Sequence, residues 1–112
     1  MRRSAITLLL LGAASLARGE VAFVSPKAEA QVLGPVAIEV VTDAPRIDRV
    51  EFSVDGRFAG YARDAPFRIV HDFGDSLDAH TIAARVSFDG YRKHETTTLR
   101  TGALVTEESI DV

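Results

Sequence analysis

Two antiparallel sheets packed face to face, built from about seven short strands, is the all-β fold class that this sequence predicts. Three features point there. Apolar and polar side chains alternate along several segments, most clearly from Ile47 to Val54 and from His80 to Phe88. Asp-Gly pairs at Asp55-Gly56 and Asp89-Gly90 break that alternation where a hairpin would turn. No interior stretch has a helical period, and the links between apolar runs are too short for the crossover helices that a parallel sheet requires.

The first nineteen residues are set apart from the rest. Arg2 and Arg3 precede the apolar run Ala5 to Leu11, and the small residues of Ser15-Leu16-Ala17 follow. This order predicts a secretory signal peptide over residues 1–19, cut near Ala17 or Gly19. The apolar run falls short of the roughly 20 residues that span a bilayer. A cut after Ala17 removes Arg2 and Arg3 and leaves 11 basic against 16 acidic residues, a formal charge near −5, and a cut after Gly19 removes Arg18 as well. An acidic chain of that kind argues against nucleic acid as a partner. The absence of cysteine excludes a disulfide framework and a thiol nucleophile. The remaining length, about 95 residues, suits one domain.

Along the mature segment, Val21 to Ser25 reads as a strand stopped by Pro26. Val32-Leu33 reads as a second piece of the same edge strand, beyond a polar kink. In Val36 to Thr42, Val36, Ile38 and Val40 share one face, and a loop follows to Asp48. Ile47 to Val54 places Val50, Phe52 and Val54 inward, and Asp55-Gly56 turns the chain because glycine accepts positive φ. Arg57 to Ala62 returns, with Phe58 expected over the rim of the core. After Asp64-Ala65-Pro66, the segment Phe67 to Phe73 alternates Phe67, Ile69, His71 and Phe73 with polar residues and Val70. His80 to Phe88 sets Ile82, Ala84, Val86 and Phe88 inward. Asp89-Gly90 turns into a last strand, Tyr91 to Arg100, whose three threonines favour extended backbone but do not reveal a buried face. Arg57, Arg63 and Arg68, interleaved with Glu51, Asp55 and Asp64, suggest cross-strand charge pairs.

These segments also carry a resemblance. Val50-Glu51-Phe52 with Val54-Asp55-Gly56, then Ala65-Pro66-Phe67, then His80-Thr81 resemble the hairpin, corner and later strand of bacterial Ig-like domains of secreted and surface proteins. The similarity runs from Val21 to Arg100. It departs at Ala30, where glycine is common, at His71, where tryptophan is common, and at Phe88-Asp89-Gly90, which shortens a strand end. The resemblance implies an immunoglobulin-like sandwich over residues 20–101, followed at 102–112 by a tail or the start of another domain. The end of the chain, Thr106 to Val112, also looks like the approach to a von Willebrand factor A-like domain. The implied function is that of a non-catalytic extracytoplasmic spacer or docking module, secreted, periplasmic or on the cell surface. Its partner would be an adjacent domain or another surface protein, with no membrane span after signal cleavage. The alternative is a carbohydrate- or calcium-binding module.

The residues that could carry chemistry are few. His71, Asp72, Asp75, Asp78 and His80 lie close in sequence, but without the spacing of a zinc site or of a twelve-residue calcium loop, even with Asp43 and Asp48 added. Turn carboxylates that bond their own backbone explain the aspartates as well. Phe58, Tyr61 and Tyr91 could form an aromatic strip for sugar. There is no Gly-x-Ser-x-Gly elbow. The expectation is therefore no catalytic residue, no metal ligand and no cofactor.

Overall fold

The computed structural model describes residues 20–103; the signal peptide expected at 1–19 and the tail from 104 onward lie outside the described residues. Within them run seven strands: β1 Val21–Ser25, β2 Pro35–Thr42, β3 Ile47–Val54, β4 Arg57–Ala62, β5 Phe67–Asp72, β6 Thr81–Phe88 and β7 Lys93–Arg100. They form a three-stranded sheet, β1-β2-β5, and a four-stranded sheet, β4-β3-β6-β7, antiparallel throughout. The predicted sandwich is present.

Alternation decides which side chains meet between the sheets. β2 contributes Ile38 and Val40, β3 contributes Val50, Phe52 and Val54, and β6 contributes Ile82, Ala84, Val86 and Phe88. Phe73 and Val32, from the links flanking the strands, join the same cluster. Burying each large side chain stabilises the fold by roughly 1.5–3 kcal/mol, and without disulfides this core carries the domain.

The β3–β4 hairpin turns as the sequence implies. Val54 pairs with Arg57, so Asp55 and Gly56 alone make the loop, with φ of 52° and 83°. Four other segments depart from the sequence reading. Val32-Leu33 does not continue β1. After Pro26 the chain crosses toward the end of β7, where the Glu29 amide bonds Arg100 O at 3.0 Å, and Val32 plugs the core while Leu33 is exposed. The second hairpin is wider than two residues. Phe88 pairs with Lys93, and residues 89–92 form the loop, because Asp48 captures the Tyr91 amide at 2.6 Å and Arg46 O accepts the Asp89 amide at 3.0 Å. Tyr91 therefore sits in the loop at φ 65°, not in β7.

The third departure is a bulge. Phe52 pairs with Gly60 and Ser53 with Phe58, so Ala59 is an extra residue in β4. Gly60 sits at φ 151°, a conformation other residues seldom adopt, and a Cβ there would meet Ile69 of the opposite sheet at 3.4 Å. The two-residue turn already sets Phe58 opposite Ser53 and away from the core, and it is 66% exposed where a rim-covering ring was expected; the inserted residue brings Tyr61 to the same side. The fourth concerns charges. The bulge sets Tyr61, not an arginine, opposite Glu51, which pairs with Arg49 of its own strand. No ion pair among the described residues uses Arg57, Arg63 or Arg68.

β7 shows its inner side only near its end, where Thr97 and Leu99 are half-buried and Thr101 is fully buried. Thr101 is satisfied by His80: its Oγ1 accepts the His80 amide at 2.8 Å and its own amide donates to His80 O at 2.9 Å.

Candidate functional site

The aspartate–histidine region near the start of β6 is bound up in its own backbone. Asp72 Oδ1 accepts the Gly74 amide at 2.9 Å, and Ser76 Oγ accepts the Asp78 amide at 3.1 Å, which are local turns that fix the β5–β6 link. His71 meets Phe73 edge to face, with ring centroids 4.7 Å apart. Asp48 is engaged with the Tyr91 amide on another loop. Among the described residues no group of three or more His, Asp or Glu side chains gathers in a way that could hold a metal ion.

One pairing here was not foreseen from sequence. Asp55, at the β3–β4 turn, accepts the Thr81 amide through Oδ1 at 2.9 Å and lies 2.7 Å from His80 Nδ1 through Oδ2. A carboxylate can only accept, so the imidazole donates from Nδ1. The other ring nitrogen, Nε2, is buried with no partner, and the imidazole lies against the Phe73 ring, centroids 5.2 Å apart. A general base must reach the proton it removes, and this nitrogen is walled off. The pair clasps the end of β3 to the start of β6. Only the cross-strand register, which places Val54 beside Ile82, could have revealed it in the sequence.

The clasp has a pH signature. The hydrogen bond from His80, then the Thr81 amide, hold the Asp55 carboxyl below its ordinary value against a smaller opposing effect of burial. A lowered folded-state value means that the stabilisation is complete above the unfolded aspartate pKa of about 3.9 and is lost as pH falls through the lower folded value. The Asp55 side chain is 51% exposed, so solvent screening keeps the effect under about 1 kcal/mol. Asp55→Asn retains a residue tolerant of positive φ and is expected to lower Tm modestly at neutral pH. The gap to the parent should close as pH is taken from 5 to about 2. A gap of constant size down to the acid end would show that the charge is not what matters.

The remaining candidate is the outer face of the four-stranded sheet, opposite the core. The turn aligns Phe58 with Ser53 and the bulge aligns Tyr61 with Glu51, so both rings share this face, one two-residue repeat of roughly 6.8 Å apart along the strand. Tyr91, on the β6–β7 loop at the far edge of the sheet, does not join them. The expected three-ring strip is a two-ring pair. The Arg49 and Arg63 guanidinium carbons lie 5.2 and 5.5 Å from the Tyr61 ring centroid. Cross-strand register continues the face into β6 and β7: Ser53 is followed by Ala83 and Thr98, and Glu51 by Arg85 and Thr96.

The described residues form an antiparallel Ig-like sandwich and bring together no group of side chains that could hold a metal ion. The chain belongs to the bacterial Ig domain family, whose profile matches residues 20–84. Among solved structures it is similar to the fibronectin(III)-like modules of Clostridium thermocellum CbhA. The identity is 23%, over 75% of this chain and 96% of that one, with a TM-score of 0.64, a likeness of fold. No curated protein sequence matches the chain. No helix among the described residues is long and apolar enough to cross a membrane.

Proposed function

We propose that the chain is an extracytoplasmic accessory module that spaces a neighbouring domain or docks a surface partner. The observation that carries this reading is the path of the chain through the sandwich. β1 begins with Val21 beside Thr42, at the end of the fold that holds the 43–46 and 89–92 links. β7 finishes with Arg100 beside Thr81, at the opposite end, next to the Asp55-Gly56 turn. Entry and exit thus lie about one eight-residue strand apart, roughly 27 Å. That in-line geometry holds neighbours apart. Export is part of the reading and rests on the N-terminal segment; a von Willebrand factor A-like neighbour is its most specific form and rests on the resemblance of Thr106 to Val112. The calcium alternative draws no support from Asp72, Asp75 and Asp78, since Asp72 is spent on a turn amide.

Because the chain has no cysteine, dyes can be placed at Glu20→Cys and Ala103→Cys without competing thiols. Single-molecule energy transfer is expected to give one narrow separation of roughly 25–30 Å that does not respond to salt or calcium. A broad or salt-dependent distribution would overturn the spacer.

A further inference from the structure

We propose that the outer face of the four-stranded sheet binds a carboxylate-bearing polysaccharide, a chain of uronic-acid type. The proposal rests on the extracytoplasmic reading above only for where such a polymer would be met.

Charge is the first observation. The chain is acidic overall, with a formal charge of −3, yet the outward positions of this sheet are basic. They carry Arg49, Arg85 and Arg100, with Arg63 stacked on Tyr61 beside them, against Glu51. Glu51 is consumed by Arg49, and Arg100 lies close enough to Asp55 to help hold its carboxyl ionised. Arg63 and Arg85 make no ion pair among the described residues. The face thus offers two uncompensated guanidinium groups suited to bidentate carboxylate binding.

Shape is the second. The two-residue turn sets Phe58 on this face, a large apolar side chain left in solvent, and the bulge at Ala59 brings Tyr61 to the same side. Bulges recur where a strand re-aims a side chain for use. Beside Phe58 the register places Ser53 and Ala83 in one row, then Thr98. Two small side chains between a ring and a hydroxyl leave a shallow trough whose rims are three strand spacings, ~14 Å, apart. Arg85 stands in the adjoining row, ~7 Å along the strand. A sugar ring lying on Ser53 and Ala83 against Phe58 would direct a carboxylate substituent at Arg85.

These features favour a sparsely charged polymer of flat rings over other anions. Nucleic acid carries a charge every ~1.7 Å of duplex and needs many cations, which this acidic chain does not provide. An acidic polypeptide would use the arginines but has no need of the exposed ring.

Affinity electrophoresis of the full chain in native gels containing polygalacturonate, hydroxyethylcellulose or poly-glutamate tests the proposal. Polygalacturonate alone is expected to retard the protein strongly. Arg85→Ala and Phe58→Ala should each weaken that retardation about tenfold, whereas Arg68→Ala, on the other sheet, should not. Both test residues are exposed, and far-UV circular dichroism checks that each variant is folded. Absence of retardation, or retardation that Arg85→Ala leaves intact, overturns the proposal. Equal retardation by poly-glutamate that survives Phe58→Ala also overturns it, and assigns the face to an acidic polypeptide instead. None of these failures touches the end-to-end separation on which the spacer reading depends.

Discussion

Phe52→Ala is expected to destabilise the domain by about 3–5 kcal/mol, the largest loss from any single side chain. Phe52 lies in β3, a central strand, and is 0% exposed. Its neighbours in register are Gly60 on β4 and Ala84 on β6. Neither has a side chain that could fill the space, so the ring alone covers that level of the sheet, and the cavity left by its removal would persist. A domain of this size has only ~5–15 kcal/mol in hand, and here no disulfide limits the unfolded chain. Urea unfolding followed by circular dichroism at 222 nm reads the effect. A loss below ~1.5 kcal/mol, the range of a conservative core swap, would mean that the two small neighbours do collapse into the space.

Gly102→Ala is expected to follow, at roughly 1–3 kcal/mol. A Cβ on Gly102 would stand 2.4 Å from Glu29 O and 3.2 Å from Glu29 C. Both are backbone atoms and cannot rotate away. They are also held in place, since Glu29 N donates to Arg100 O at 3.0 Å and Gly102 N donates to Ala30 O at 2.9 Å. The substitution must break at least one of these bonds. Hydrogen exchange should then show lost protection at the Glu29 and Gly102 amides, with the amides of β3 and β6 retaining theirs. Unaltered protection at both clasp amides would show that the approach is looser than the geometry implies.

Much of the architecture was legible in the sequence because burial enforces a period of two. Val50, Phe52 and Val54, and Ile82, Ala84, Val86 and Phe88, all lie where alternation placed them. Asp55-Gly56 was legible because few residue pairs accept two consecutive positive φ angles. The reading weakened where alternation has no authority. A bulge inserts a residue without changing composition, so nothing in the pattern put Tyr61 on the same face as Phe58. Gly60 inside an apolar strand was the available hint. Tyr91 read as strand because the hydrogen bond that holds its amide in the loop comes from Asp48, 43 residues away. The inner side of β7 was hidden because this edge strand is covered only near Thr97, Leu99 and Thr101. The outer face of the four-stranded sheet was legible only in part. Phe58 and Tyr61 stood out as aromatic, but their grouping depends on the bulge, and the lone charge on Arg85 depends on Arg49 having taken Glu51.

The placement of the first and last strands at opposite ends of the sandwich also has a mechanical meaning. Tension applied through residues 20 and 103 would pull β1 along β2, and β7 along β6, because each is antiparallel to its neighbour and lies along the line of pull. Ladders loaded in that way resist together in shear, whereas a hairpin pulled from its open end yields one bond at a time. The clasp of Glu29 and Ala30 on Arg100 and Gly102 joins the β1 side of the fold to the outgoing chain, so part of the load would bypass β7. A module threaded in this direction is suited to a surface where neighbours are tugged.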